Sequence, residues 1–188
     1  MLNKKRGLFL GLCASLVIMV AGCGSDDEAM DKESMAASSS TAESTEVVAG
    51  ASISSKPEDL VMGLSEDGGW IFAATDDITL TEDLVVAGTF YDKGDESADI
   101  YRKLALYAQD EDRTVTDEYT LTVPTIIVES PNFKIENGTV VGDIIVKAEG
   151  FTLANSTVEG NVTFDSQELM DASTFDGETI TGETTVAK

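Results

Sequence analysis

The chain is poor in basic residues, histidine and cysteine. Its 188 residues include 12 Lys and Arg against 35 Asp and Glu, no His and two Cys. The formal net charge of −23 argues against a nucleic-acid partner, because phosphate recognition needs a basic stripe that 12 scattered cations cannot build. Without His, the chain can form neither a histidine-based catalytic triad nor an imidazole-ligated metal site. Apolar residues still make up 42% of the sequence, so the chain is not a disordered acidic polymer.

The first 22 residues have the layout of a secretory signal peptide. A cationic head of Lys4, Lys5 and Arg6 precedes a 13-residue apolar run from Leu8 to Val20. A transmembrane helix needs about 20 apolar residues, and here polar residues follow the shorter run almost at once. We therefore predict that residues 1–22 are an export signal that is removed, rather than a membrane span.

The predicted signal ends in Val20-Ala21-Gly22-Cys23, an aliphatic residue and two small ones followed by cysteine. This motif resembles the lipobox of bacterial lipoproteins, and all four positions fit. The resemblance covers the N-terminus only. It implies that the Cys23 thiol receives a diacylglyceryl group and that cleavage before Cys23 makes it the first residue of the mature chain. The alternative is an ordinary secreted cysteine or a plain signal-peptidase site.

Lipidation at Cys23 would hold the protein on the extracytoplasmic face of a bacterial cell membrane. Two acyl chains give stable attachment where one is marginal, since each buried CH₂ contributes about 0.8 kcal/mol. Cys13 lies inside the predicted signal, so the mature chain would have no second cysteine with which to form a disulfide. Removing residues 1–22 leaves 9 basic and 35 acidic residues, a formal net charge of −26.

Residues 23–55 are predicted to form the lipidated N-terminus and a disordered tether. The segment from Gly24 to Ser55 is rich in Ser, Ala, Thr and Glu and contains no aromatic residue, so it cannot bury enough apolar surface to fold. As a flexible coil these 32 residues would span roughly 30 Å root-mean-square. The alternative is a helix over Glu28 to Ala37, but isolated helices of that length are marginal in water.

Residues 56–188 are predicted to form an all-β domain that begins with a short capping helix. Proline and acidic residues near the start of Lys56–Leu64 are typical of a helix N-terminus. Short β-like runs separated by Asp- and Gly-rich turns follow this helix. The predicted strands before the C-terminal third lie at residues 70–74, 78–80, 84–90, 103–108, 119–123 and 126–128.

The C-terminal third contains an internal repeat. Residues 134–146 align with residues 152–164 at an offset of 18, and a third copy begins 22 residues later, at residues 174–186. A repeat near 20 residues, made of short apolar strands joined by Asn and Gly corners, is the signature of a β-solenoid. Alternate side chains would then stack inward, about 4.8 Å from copy to copy. The predicted inward residues are Ile135, Val140, Ile144 and Val146, lying above Leu153, Val158, Val162 and Phe164.

Two kinds of corner residue recur in the repeat. Gly142, Gly160 and Gly182 are predicted where the chain needs a positive φ or a close backbone approach. Asn137 and Asn155 would stack as a hydrogen-bonded ladder of side chains.

The third copy departs from the pattern of the first two. Gly177 stands at the position of the ladder asparagines and would interrupt the ladder, and Ser173 and Thr184 replace apolar inward residues. A terminal repeat with a more polar inner face is what an end cap requires.

The pattern over residues 119–188 resembles right-handed parallel β-helix proteins, the architecture of pectate lyases and many bacterial surface proteins. A less regular extension covers residues 70–118, and the predicted helix would suit the N-terminal cap that such proteins often carry. The alternative fold is an antiparallel β-sandwich whose hairpins look alike. Against the sandwich, no copy contains a tight two-residue Asn-Gly hairpin flanked by long alternating strands.

Residues with catalytic or metal-binding chemistry are sparse. Asp92–Glu96 with Asp99 could offer carboxylates to Ca²⁺, but the spacing is not that of an EF-hand, and a solvated loop is favoured. Glu111 and Asp112 could act in glycoside hydrolysis only if two acids faced each other about 5 to 10 Å apart. Lyases of the resembling fold use a basic residue and usually calcium, whereas Lys134 and Lys147 fall at different repeat positions.

Five aromatic residues could stack on sugar rings if they were exposed. Trp70, between Gly69 and Ile71, is expected in the core instead. The other four are Tyr91, Tyr101, Tyr107 and Tyr119.

The sequence thus predicts no catalytic residue, no cofactor and no metal ion, and a single modified residue, Cys23. We expect a non-catalytic, lipid-anchored protein of the cell envelope that binds or adheres to envelope or external polysaccharide or protein. One alternative is an enzyme acting on polysaccharide, which the fold resemblance suggests. Another is an envelope scaffold that self-assembles through the ends of its domain.

Overall fold

The computed structural model describes residues 51–188, which are all-β in class with mostly parallel strands. Helices within this range are short: α1 (Pro57–Gly63), α2 (Gln167–Asp171) and a 3-10 turn at Asp92–Gly94. None of them is long and apolar enough to cross a membrane. The strands in chain order are β1 (Ala51–Ser54), β2 (Ile71–Ala74), β3 (Ile78–Thr79), β4 (Leu84–Val86), β5 (Arg102–Ala105), β6 (Tyr107–Gln109), β7 (Val115–Glu118), β8 (Thr120–Val128), β9 (Phe133–Glu136), β10 (Thr139–Val146), β11 (Thr152–Ala154), β12 (Thr157–Glu159), β13 (Val162–Phe164), β14 (Thr174–Asp176), β15 (Thr179–Ile180) and β16 (Thr184–Val186).

Two sheets carry most of these strands, and every pairing within them is parallel. The six-stranded sheet has the order β1-β2-β5-β9-β11-β14. In the eight-stranded sheet, β3 and β4 pair with the two halves of β8, and β8 pairs along its length with β10. The halves of β10 pair with β12 and β13, which pair in turn with β15 and β16. Each group of strands therefore pairs in parallel with the next group along the chain. The order of the strands within a group stays the same from one group to the next.

The pairing register confirms the internal repeat. Thr152 lies opposite Lys134, and Val162 lies opposite Ile144, both at the offset of 18. Thr174 lies opposite Thr152, at the offset of 22. Within residues 51–188, antiparallel pairing is confined to the β6–β7 hairpin and an isolated bridge between Tyr91 and Ile100. The repeat copies are thus joined in parallel and not as hairpins.

Alternate side chains of both sheets meet in one apolar core. All eight predicted inward residues of the first two copies are fully buried, and burying one such aliphatic or aromatic side chain stabilises the fold by roughly 1.5–3 kcal/mol. Phenylalanines run through this core from copy to copy. The ring centroids of Phe133 and Phe151 are 6.5 Å apart, those of Phe151 and Phe164 6.5 Å, and those of Phe164 and Phe175 6.3 Å.

The predicted corner residues have the backbone conformations and close contacts that tight corners require. Gly142 has φ 147°, and a Cβ there would overlap the Val123 carbonyl oxygen. Gly160 in turn packs against the Gly142 carbonyl, so the predicted close approach is confirmed. Asn137 and Asn155 both adopt the left-handed conformation, with φ 56° and 50°.

The predicted ladder of asparagine side chains is wrong in its position. In the part of the chain that the structure describes, no hydrogen bond joins the Asn137 and Asn155 side chains. The residues share a backbone conformation instead, because Gly177, with φ 66°, keeps the same left-handed corner in the third copy. Asn tolerates this conformation better than other residues with side chains, which explains its use there. A side-chain ladder does occur six residues later. Asn161 donates from Nδ2 to Asp143 Oδ1 at 3.1 Å and accepts at Oδ1 from the Glu183 backbone N–H at 2.9 Å.

The N-terminal end differs from the prediction in one respect. The predicted helix is present as α1, with Pro57 in its first turn beside Glu58 and Asp59. However, β1 lies within residues 23–55, which were predicted as a tether, and it pairs in parallel with β2. The boundary predicted between residues 55 and 56 is therefore at least five residues too late. The small Ala and Ser side chains of β1 give little apolar signal, and its partner β2 lies elsewhere in the sequence. The sequence therefore did not indicate a strand at β1.

A buried arginine ties α1 and two loops to the sheet. Arg102 is fully buried, and it lies in register with Phe133 at an inward position. Its Nη2 donates to the Gly63 and Ser65 carbonyls at 3.0 and 2.8 Å, and its Nε donates to Gly69 at 3.1 Å. Nη1 donates to the Ala87 carbonyl. The guanidinium carbon lies 4.0 Å from the centroid of the Phe90 ring. Burial lowers the pKa of Arg102 to about 10, which leaves it charged at neutral pH.

Candidate functional site

A cluster of polar side chains lies on the outer face of the six-stranded sheet, where β5 pairs with β9. We call Lys103, Tyr107, Lys134 and Glu136 the β5–β9 cluster. The parallel register sets Lys103 opposite Lys134. Successive side chains of a strand point to opposite faces, so Lys103, Lys134 and Glu136 face outward while Leu104 and Ile135 fill the core. Tyr107 reaches the cluster from β6, just after β5 ends.

Glu136 is the centre of this cluster. Its Oε2 lies 2.8 Å from Lys103 Nζ and accepts a hydrogen bond from the Tyr107 hydroxyl at 2.9 Å. Its Oε1 lies 2.5 Å from Lys134 Nζ. Lys103 Nζ also lies 5.6 Å from the centroid of the Tyr107 ring, within cation–π range. Both carboxylate oxygens are thus occupied by donors.

These contacts fix the protonation states of the cluster. Burial alone would raise the pKa of Glu136, but the hydrogen bonds from Lys103, Lys134 and Tyr107 outweigh burial and lower the pKa to about 2. Burial would lower the pKa of Lys103, and the bond to Glu136 reverses this so that the pKa is raised. At neutral pH the carboxylate is ionised and Lys103 is protonated. The pair can hold a ligand by charge and hydrogen bonding, but it is poorly suited to transfer protons.

Aromatic rings border the cluster on the side of β2. Tyr101 lies beside Trp70, with ring centroids 6.0 Å apart and planes at 46°. Burial raises the pKa of Tyr101, and the same holds for Tyr107. Trp70 is 8% exposed, which confirms the prediction that it belongs to the core. Of the predicted sugar-stacking residues, the structure therefore brings Tyr101 and Tyr107 to this face.

The other two tyrosines lie elsewhere. Tyr91 forms the isolated bridge to Ile100, and Tyr119 packs against the core at the start of β8.

The β5–β9 cluster also anchors a projecting hairpin. The hairpin of β6 and β7 begins at Tyr107, and every residue of β7 is exposed. Glu111 and Asp112 lie in its turn, where the Asp110 side chain accepts from the Asp112 and Thr114 backbone N–H groups at 3.0 and 2.8 Å. This turn is exposed, so Glu111 and Asp112 lie on a solvated loop.

The acidic loop at Asp92–Glu96, for which the sequence favoured a solvated loop over a calcium site, is held by its own hydrogen bonds. Asp95 Oδ1 accepts from the Ser97 hydroxyl at 2.7 Å and from its backbone N–H at 2.9 Å, and these bonds lower the pKa of Asp95. Asp92 donates its backbone N–H to the Asp99 carbonyl at 3.0 Å. Across residues 51–188, no group of three or more acidic side chains is placed to hold a metal ion.

The remaining predicted residues lie apart from the cluster or beyond the described range. Lys147 lies 3.4 Å from Glu129 in an exposed ion pair, whereas Lys134 contacts Glu136 in the β5–β9 cluster. Cys23, with the predicted signal at residues 1–22, lies outside the described residues.

Sequence reasoning missed the β5–β9 cluster because its members come from unlike segments. Lys103 and Glu136 are 33 residues apart, and β5 lies outside the repeat from which the register was predicted. The one local signal was Lys134 and Glu136, two residues apart and thus on the same face of a strand.

Comparisons of the chain with protein-family models, with curated proteins and with solved structures found no significant match.

Proposed function

We propose that this chain is a bacterial lipoprotein, anchored through Cys23 on the extracytoplasmic face of the membrane. Its domain would be a right-handed β-solenoid that serves as a non-catalytic module for binding or adhesion. The observation that carries the proposal is the pairing of each strand group with the next in parallel and in an unchanged order. A rigid stack of this kind offers flat, extended faces to a long ligand.

Support for the anchor comes from the N-terminal motif. Val20-Ala21-Gly22-Cys23 follows a cationic head and an apolar run, and strand β1 begins at Ala51. Twenty-seven residues thus separate Cys23 from the first described strand, room enough for a spacer between membrane and domain.

A fatty-acid analogue supplied to cells that express the chain tests the anchor. The expected result is that the wild type and Cys13→Ala are labelled and that Cys23→Ala is not. The Cys13 variant is a matched control, because it removes the other cysteine of the chain. Equal labelling of Cys23→Ala and the wild type would refute lipidation at Cys23.

Support for binding over catalysis comes from the β5–β9 cluster. Two of the eight basic residues in 51–188 converge on one carboxylate and two tyrosine rings lie beside them, in a chain with a net charge of −23. The Nζ groups of the two lysines, the ionised Glu136 carboxylate and the tyrosine rings suit the hydroxyl and carboxylate groups of a polysaccharide. The carboxylate has a pKa near 2, which does not suit a general acid.

A screen of the full chain against envelope and external polysaccharides tests this assignment. We expect a glycan that is retained without turnover, and we expect Lys134→Ala to weaken its retention while Lys147→Ala leaves it unchanged. Both variants remove one lysine that forms an ion pair with a glutamate. Turnover of a polysaccharide that one carboxylate substitution abolishes would contradict the proposal and favour an enzyme.

A further inference from the structure

The last strands of the chain leave one end of the stack of strand groups open. We call β14, β15 and β16 the last group. Each of them pairs with the preceding group on one side, and within residues 51–188 no strand pairs with the other side. The inward side chains Phe175, Ile180 and Val186 pack against the core but are only partly buried. The apolar core therefore reaches the surface at this end.

The opposite end of the stack is covered by a helix. α1 packs on β1 and β2, and Leu60 and Leu64 at this helix are fully buried in the core. The helix that precedes the last group, α2, packs instead on β13 of the group before it. A head-to-tail contact between copies would need both ends open. The arrangement therefore favours a contact between two last groups.

Backbone groups of the last group point towards the open end. Thr179 and Thr181 donate their backbone N–H groups to carbonyls of the preceding group. In a parallel pair, alternate residues of a strand bond to the same neighbour, so Ile180 directs its backbone N–H and C=O the other way. The same alternation applies to Phe175 and Val186, which lie next to residues that bond to the preceding group. The open edge thus offers both apolar contact and strand pairing.

A second copy of the chain presents a matching surface. A two-fold axis across the open end places one last group over the other, and the strands of the two copies then run antiparallel. Each copy covers the partly buried Phe175, Ile180 and Val186 of its partner. Because α1 covers both far ends, the contact closes after two copies and does not propagate into a filament.

Charged side chains surround this end without lying in its apolar centre. Asp176, Glu178 and Glu183 are exposed, and Lys188 is the basic residue among residues 174–188. The carboxylates of two copies repel one another, while apolar and main-chain contacts hold the copies together. Salt screens the repulsion, so it should strengthen the contact, whereas a contact held by ion pairs would be weakened.

We propose that two copies of this chain associate end to end through their last groups, so that the sheets continue from one copy into the other. The sequence predicted a more polar inner face here, and Thr184, opposite Val162, supplies part of it. The remaining inward residues of the last group are apolar and call for a cover. This contact depends neither on lipidation of Cys23 nor on what the β5–β9 cluster binds.

Sedimentation equilibrium of the full chain in a density-matched, non-ionic detergent tests the association. We expect a dimer that becomes tighter as salt is raised from about 0.1 M to about 1 M. Ile180→Asp should weaken it at least about tenfold, since an apolar contact is lost at the interface. A monomer at all concentrations, or a dimer that salt weakens, would overturn the proposal.

Two further substitutions guard this result. Thr184→Asp exchanges one polar, half-buried residue for another, so it disturbs the fold less than Ile180→Asp and should also weaken the dimer. Val85→Asp is the control, because Val85 is exposed on β4, away from the last group, and it should leave the dimer unchanged. Equal effects of Thr184→Asp and Val85→Asp would refute the proposed location.

Spin labels on single sites identify the end that forms the contact. Val85 and Thr185 terminate one column of opposed residues, with four strand pairings between them. At about 4.8 Å for each pairing, an end-to-end dimer separates two Val85 labels by at least about 40 Å. Two Thr185 labels should be clearly closer. With Cys13 and Cys23 changed to alanine, electron–electron distance measurements that show equal separations, or the reverse order, would contradict the contact between last groups.

Discussion

Arg102→Met removes the guanidinium while keeping a long, flexible side chain in the core, and it should strongly destabilise the domain. The carbonyls of Gly69 and Ala87 lose their donor. Those of Gly63 and Ser65 lose one of two donors, because they also accept from the Gly69 and Gly68 backbone N–H groups. A buried acceptor left without a partner costs about 1–3 kcal/mol, and contact between the guanidinium and the Phe90 ring contributes roughly 0.5–2 kcal/mol.

Two effects reduce the loss of stability expected from these contacts. Some of the carbonyls lie in partly buried surroundings and can regain water. Removing the charge also relieves the cost of burying it, a cost visible in the lowered pKa of Arg102. We therefore expect the free energy of unfolding to fall by about 3–5 kcal/mol, the range found when one partner of a buried charged network is removed.

Urea unfolding of the full chain, followed by circular dichroism, measures this change. Lys147→Met is the matched control, since the Lys147 side chain is 40% exposed and its ion pair is worth no more than about 1 kcal/mol. Arg102→Lys keeps the charge but not the fork of donors, and it should lose at least half as much stability as Arg102→Met. A midpoint for Arg102→Met that matches the control would refute the reasoning.

Three further predictions concern the cluster, the core and a corner. Glu136 has a folded-state pKa of about 2, below its ordinary value of 4.5. Its contribution, about 2 kcal/mol after solvent screening, is therefore present above about pH 4.5 and lost as the pH falls towards 2. The stability difference between the wild type and Glu136→Gln in urea should narrow over that range, and a difference that does not vary with pH would contradict the pKa. Phe151→Ala should cost about 3–5 kcal/mol of unfolding free energy, because Phe151 is fully buried between two other rings. Phe175→Ala, at the partly buried end of the stack, should cost clearly less, and equal losses would argue against the observed packing. Asn155→Gly should change the thermal midpoint little because both residues accept the left-handed corner, whereas Asn155→Val should lower it; the reverse order would contradict that backbone assignment.

The repeat could be predicted because stacking imposes the same requirement on every copy. Ile135 and Leu153 occupy one inward column, so the alternation of side chains and the offset of 18 were both visible in the sequence. The left-handed corners were visible too, as Asn or Gly at equivalent positions. Their role was misassigned, because a preference for αL backbone and an amide ladder leave the same sequence pattern.

The segment before the repeat was harder to predict because its contacts join unlike sequences. The predicted strand at residues 103–108 is divided at Leu106, which turns into the core and starts the hairpin. Arg102 lies at an inward position, where the repeat pattern predicts an apolar residue. Its guanidinium is tolerated there because backbone carbonyls accept its hydrogen bonds. Such a site depends on the end of α1, the turn that follows it and the loop at Ala87, so no pattern local to Arg102 predicts it.

The central claim is that the copies stack in parallel, and spin labels on two residue pairs test it most directly. One sample carries spin labels at the positions of Thr139 and Thr157, and the other carries them at the positions of Ile145 and Thr163. In both samples Cys13 and Cys23 have been changed to alanine. Both pairs lie opposite each other in the structure, and both differ by 18 in number. Parallel stacking predicts strong spin–spin broadening in both samples. If the copies formed an antiparallel pair with Thr139 opposite Thr157, Ile145 would lie opposite residue 151, and the second pair would be too far apart to broaden. Broadening in one sample only would contradict the account.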